Sequence, residues 1–202
     1  IIIGAGVNGC MLAHKLSKYK LDVAVIEAGC DVASGASRAN SAIVHAGFDA
    51  VSGTLKAALN VKGCAALPEI ARQLDVPYKN NTSLVVAFGG EDDRTLEKLL
   101  ERGTTNGVPG LEIISKEKLN ELEPNISPEA TSALLAPTAG IICPYDLTIA
   151  CAENAALNGV QFFFDRRVDR IEKRDGTIGV FVGEEEFSAK FVVKSAGVHS
   201  AE

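Results

Sequence analysis

The stretch IIIGAGVNG at residues 1–9, followed by LDVAVIE at 21–27, constrains the fold more than any other part of the chain. An apolar triplet, glycines spaced G-x-G-x-x-G, a helix-length segment and a second apolar run ending in an acid together predict a strand–helix–strand unit. Each glycine has its own task. Gly4 permits the tight turn out of the first strand, Gly6 lets a pyrophosphate approach the main chain, and Gly9 lets the helix pack closely on the strand. The helix start offers free N–H groups and a positive dipole end to phosphate. Glu27 follows about 20 residues later, where a carboxylate accepts hydrogen bonds from the adenosine ribose and repels a 2′-phosphate. The helix is expected over residues 9–19, with Leu12 and Leu16 turned to the sheet.

The remainder divides around an insertion. Residues 55–74 carry apolar positions at helical spacing, interrupted near Gly63 and Pro68, which predicts one long helix or two. Between 77 and 143, the runs TSLVVAF and ATSALLAP predict strands. EDDRTLEKLLERG and SKEKLNELEP predict helices there, the second capped by Ser115. YDLTIACAENAALNGV predicts a helix stopped at Asn158-Gly159. Strands follow, with a hairpin turn at Asp175-Gly176 and a last buried strand, FVVKSAG, beside the first. The fold class expected is therefore α/β: a Rossmann-like domain formed by residues 1–76 and 144–202, with an inserted α+β substrate domain at 77–143. Ile1 already lies within an apolar run and the chain stops just after a strand, so it is expected to be truncated at both ends.

Composition removes other classes. With 20 Lys and Arg against 26 Asp and Glu, the net charge is −6 and no basic block exists, so no nucleic-acid partner is expected. No apolar run approaches the roughly 18 residues of a membrane span; no integral membrane segment and a cytoplasmic location are expected. Five cysteines without a C-x-x-C pair suit reduced thiols rather than a disulfide framework or a metal site, with Cys143 and Cys151 as buried filler.

SGASRANSAIVHAG, residues 34–47, is too rich in small residues for an ordinary helix and too polar for a buried strand. Its small side chains would let main-chain N–H groups reach along a dinucleotide longer than NAD, which favours a flavin, and the segment is expected to be ordered by that ligand. Together with IIIGAGVNG, VAVIEAG, PTAGIICPYDLTIACAENA and FVVKSAGV, it resembles the FAD-dependent oxidoreductases of the D-amino-acid-oxidase-like superfamily. Within that superfamily the combination is most similar to anaerobic-type glycerol-3-phosphate dehydrogenases and to L-2-hydroxyglutarate dehydrogenases.

The resemblance implies FAD as cofactor. Gly4, Gly6 and Gly9 would cradle its pyrophosphate, with Val7 and Asn8 lining the turn and Glu27 with Ala28 at the ribose. Ser37, Arg38, Asn40 and Ser41 would line the passage toward the flavin, while the main chain of Val168 and the pair Ala196-Gly197 complete the set. The family commonly has glycine where this chain has Ala42, an acid where it has Cys143, and alanine where it has Ser195. The implied reaction moves a hydride from a small anionic hydroxy substrate, sn-glycerol 3-phosphate or a 2-hydroxy acid, to the flavin, with the electron acceptor left open. A fragment that only binds FAD is a further alternative. His45 either takes the substrate's hydroxyl proton or orders its loop, and Arg38 either clamps a phosphate or is solvated. His14 and His199 are expected to have no catalytic part.

Overall fold

The computed structural model describes residues 1–201. The chain runs through β1 (Ile2–Ile3), α1 (Val7–Leu16), β2 (Ala24–Ile26), a 3₁₀ turn (Ala36–Arg38), β3 (Ile43–Val44), α2 (Leu55–Gln73), β4 (Tyr78–Lys79), β5 (Ser83–Ala87) and α3 (Glu91–Thr105). It continues through β6 (Glu112–Ser115), α4 (Lys116–Leu122), β7 (Ser132–Ala136), β8 (Gly140–Ile142), α5 (Pro144–Leu157) and β9 (Gln161–Phe163). Last come β10 (Arg170–Arg174), β11 (Thr177–Val182), β12 (Glu185–Ala189), β13 (Val193–Lys194) and a 3₁₀ turn (Gly197–His199). Two compact units result, one of Ile1–Ser41, Leu74–Val76 and the chain from Cys143 onward, the other of Ala42–Gln73 and Pro77–Ile142. The second unit thus takes in residues 42–73 besides the segment expected as the insertion, because β3 pairs with β8 and α2 packs against β4. No helix among the described residues is long and apolar enough to cross a membrane.

In the first unit a parallel sheet has the order β13-β1-β2-β9. Ile2 stands opposite Val25 on one side and Val193 on the other, so FVVKSAG does lie beside III. It forms an exposed edge rather than the buried strand expected, since no described strand lies beyond β13. The antiparallel sheet β10-β11-β12, turned at Gly176 with φ +80, packs Val180, Val182 and Phe187 against Ile3, Ile26 and Phe163.

Helix α1 begins two residues earlier than expected and packs on α5. Its buried stripe is Gly9, Cys10, Ala13 and His14, mostly small residues that permit a close approach, while Leu12 and Leu16 are only half-buried. His14 Nδ1 lies 2.8 Å from Asn154 Oδ1 of α5, and its buried Nε2 has no partner. Since an amide oxygen only accepts, Nδ1 carries the proton and donates.

The second unit contains two antiparallel sheets of three strands, β3-β8-β4 and β5-β7-β6. Both faces of the latter are covered, which is why SLVVA and SALLA read as continuous apolar runs. Val85, Ala87, Leu134 and Ala136 face Leu96, Leu99 and Leu100 of α3. Leu84, Val86, Ala133 and Leu135 face Leu119 of α4 instead. The Ser115 hydroxyl accepts from Lys118 N–H and caps α4, as its sequence predicts. Helix α2 is continuous through Gly63 and Pro68. Proline costs an interior helix about 3 kcal/mol, but buried Cys64 and Ala71 anchor α2 on either side of it.

Burial holds the His14 imidazole below its ordinary value of 6.5, against the pull of the Asn154 hydrogen bond, with Lys18 and Lys15 pushing the same way as burial. The folded state then binds fewer protons than the unfolded one, so this contribution is complete above pH 6.5 and is lost as pH falls below it. Thermal unfolding of the full-length protein is expected to shift downward over that acid limb, and His14→Gln to flatten the shift. An unchanged slope in the variant would contradict this assignment.

Candidate dinucleotide site and the His45 loop

The turn between β1 and α1 leaves no room for side chains. Gly4 has φ +102, and a Cβ on it would stand 2.6 Å from the carbonyl oxygen of Ser195. A Cβ on Gly9 would collide with the Gly4 carbonyl oxygen. Gly6 is the N-cap of α1 and brings no capping side chain, so the first-turn amides need partners from outside the helix. Ser37 supplies one, its Oγ accepting from Val7 N–H at 2.9 Å. A Cβ at Gly6 would lie 3.2 Å from that same hydroxyl. The arrangement keeps a bare helix N-terminus with main-chain donors and one small hydroxyl beside it, which is the chemistry a pyrophosphate requires.

Glu27 follows β2 directly. Its Oε2 accepts from Ala5 N–H at 2.6 Å and its Oε1 from Gly29 N–H at 2.8 Å, tying the glycine turn to the loop that opens with exposed Ala28. An ionised carboxylate offers about four lone-pair positions, so ribose hydroxyls can still be accepted.

The other residues marked by the sequence divide by environment. Asn40 is exposed but folds back on its own loop, its Nδ2 donating to the carbonyls of Ala36 and Ser37 at 3.1 Å each. Arg38 and Ser41 are exposed, and the Arg38 guanidinium makes no ion pair among the described residues. Val168 and Ala196 pack against the core of Ile3, Ile26 and Val180, which leaves chiefly their main chain for a ligand. Gly197 opens the last 3₁₀ turn at φ +58. Ala42, where the resembled family has glycine, takes φ +60, a left-handed conformation that glycine adopts without strain.

His45 belongs to the second unit, in a loop that is largely buried. Val44, Ala46, Phe48 and Ala50 are buried, whereas His45 and Asp49 are exposed. The ring of His45 makes no hydrogen bond among the described residues. His45, Phe48, Asp49, Lys56 and Asn60 line a depression of about 120 Å³. Ligand pockets usually measure several hundred Å³, so this depression is too small to be one by itself.

The cysteines do not add a redox centre. Burial pushes the Cys10 thiol up to about 12, with Cys151 and Glu27 adding to the shift, and burial raises Cys151 to about 11, so neither is a ready thiolate. Cys143, expected as buried filler, is instead exposed at the N-cap of α5, since the chain turns outward there to start the helix. Among the described residues no cluster of His, Cys, Asp or Glu could hold a metal ion.

The family profile described as FAD dependent oxidoreductase (DAO) matches residues 1–202. The chain belongs to this family. It is 50% identical over 199 residues to a glycerol 3-phosphate dehydrogenase of Caloramator mitchellensis, covering 98% of this chain and 42% of that protein. It is 32% identical over 207 residues to the mitochondrial L-2-hydroxyglutarate dehydrogenase of Caenorhabditis elegans, covering 99% of this chain and 47% of the relative. The structure of dithionite-reduced L-alpha-glycerophosphate oxidase from Mycoplasma pneumoniae with FAD bound superposes with a TM-score of 0.87 at 31% identity, over 95% of this chain and 52% of the other. The chain thus spans about half the length of the curated relatives it matches. FAD is the cofactor of the family, and the glycine turn, open helix start and Glu27 suit its pyrophosphate and ribose.

Replacing Glu27 tests the turn. Glu27→Gln leaves one acceptor oxygen and points an NH₂ group at the other N–H, so a loss of about 1–3 kcal/mol in stability is expected. Flavin absorbance per protein should fall with it in the full-length enzyme. Full flavin content and an unchanged melting temperature would show that the carboxylate carries neither load.

Proposed function

We propose that the full-length protein is an FAD-dependent dehydrogenase that oxidises sn-glycerol 3-phosphate to dihydroxyacetone phosphate. The observation that carries this reading is the 50% identity, across nearly the whole chain, to a glycerol 3-phosphate dehydrogenase, against 32% to an L-2-hydroxyglutarate dehydrogenase. A small anionic hydroxy substrate also suits Lys56, which brings a cation to the depression lined by His45.

When bound, FAD supplies a two-electron acceptor for the hydride that leaves the alcohol carbon. The chain's own residues do the rest of the work assigned to this half of the protein. Gly4, Gly6 and Gly9 give the pyrophosphate room, Val7 lines the turn with its N–H held by Ser37, and the main chain at Asn8 donates to the phosphate. Glu27, with Ala28 beside it, accepts from the ribose hydroxyls. Ser37, Asn40 and Ser41 flank the phosphates, and the unpaired Arg38 guanidinium neutralises them. The main chain at Val168, Ala196 and Gly197 completes the cofactor contacts. His45 takes the substrate's hydroxyl proton on a ring nitrogen, a role supported by an exposed imidazole whose ring makes no hydrogen bond among the described residues.

The test is an assay of the full-length enzyme with an artificial dye as acceptor, since the natural acceptor is left open. Turnover of sn-glycerol 3-phosphate should exceed that of L-2-hydroxyglutarate in kcat/KM by about a hundredfold or more. The reverse preference would make the 2-hydroxy acid the substrate, and no turnover of either would favour a protein that only binds FAD. His45→Ala should lower kcat by about a hundredfold with flavin content unchanged. Flavin lost in step with activity would favour a loop-ordering histidine.

A further inference from the structure

We infer that Asn60 is a positioning residue for His45: its side-chain amide fixes the main chain that carries the imidazole, leaving the ring free. The inference rests on the proton-accepting role proposed for His45. Asn60 Nδ2, on α2, donates to the carbonyl oxygen of His45 at 2.8 Å. The following carbonyls are held in the same way from α3 and its C-cap. Asn106 Nδ2 donates to Gly47 O at 3.0 Å and Ala50 O at 2.8 Å, and Arg102 Nη1 donates to Asp49 O at 2.9 Å. Four carbonyls within six residues are thus bonded to side chains of two helices, in a loop that has no strand partner of its own beyond Val44.

Packing sets the loop against both helices. Gly47 has φ +112, and a Cβ there would stand 2.7 Å from Val61 Cγ2 of α2. A Cβ on Gly103 of α3 would stand 2.7 Å from Phe48 Cβ. Asn60 is the tether applied at His45 itself, and the other two act further along the loop. A proton acceptor must hold its place to within a few tenths of an ångström, and a misplacement of 1 Å can cost a hundredfold in rate. The main chain of His45 is therefore fixed by Asn60 while its ring keeps both nitrogens available to a substrate.

The experiment uses the full-length flavoprotein in four forms: wild type, Asn60→Ala, His45→Ala and the double variant. Alanine is a better helix former than asparagine, and Asn60→Asp serves as a second variant of equal size that cannot donate while ionised. Flavin content, kcat and KM for sn-glycerol 3-phosphate, and hydrogen exchange of amides 45–50 are read for each. The expected result is full flavin in both Asn60 variants, faster exchange across the loop, kcat lowered about tenfold and KM changed less than about threefold. In the His45→Ala background, Asn60→Ala should lower kcat by less than about twofold further, because the two residues act as one. An undiminished kcat in Asn60→Ala, or an equal loss with and without His45, would overturn the positioning role while leaving His45 in place. An unchanged kcat in His45→Ala would overturn the reading of His45 and the inference with it.

Discussion

Two main-chain amides from different parts of the chain, those of Ala5 and Gly29, donate to the single carboxylate of Glu27. The main chain of the same residue reaches β9, its N–H donating to Phe163 O at 2.9 Å and its carbonyl accepting from Arg166 N–H at 2.9 Å. One residue therefore joins the glycine turn, the end of β2 and the strand beyond it. The start of α1 is held at that junction, in a turn whose contacts admit no Cβ at Gly4 or Gly9. Ser37 then meets the helix start, its hydroxyl accepting from Val7 N–H, and completes the constellation.

The second unit solves a different problem. A side chain that handles a proton must be accessible, but accessible loops are mobile. For the role proposed for His45, the two demands fall on different atoms of one segment. Buried Val44, Ala46, Phe48 and Ala50 and the amides of Asn60 and Asn106 hold the main chain, and the His45 imidazole remains exposed. Residues 34–47 fall into two parts. The part up to Ser41 folds on itself through Asn40, while the part from Ile43 is held by pairing with β8.

Much of the first unit was legible because its constraints are local. The glycine spacing, the acid after the second strand and the Asn158-Gly159 stop each follow from steric or hydrogen-bonding rules acting over a few residues. The helical stripe of α1 was misread for a physical reason: where two helices approach closely, small residues such as Gly9 and Ala13 are buried and the large Leu12 and Leu16 are displaced to the rim. The sheet β3-β8-β4 escaped detection because strands of two or three residues carry no period. At the site, Glu27 and the glycines were visible, whereas the bond from Asn60 to His45 spans 15 residues and has no sequence signature. Gly103 lies in the last turn of α3, where the close approach of Phe48 leaves no room for a side chain.

The claim that the FAD site is built largely on the Glu27-centred turn is tested most directly by hydrogen exchange on the full-length apoprotein with and without added FAD. Amides 4–9 are expected to be slow already in the apoprotein, and with FAD both 4–9 and 27–41 are expected to gain protection, more than any segment of 77–142. Protection confined to residues outside those two stretches, with amides 4–9 exchanging freely in both states, would contradict it.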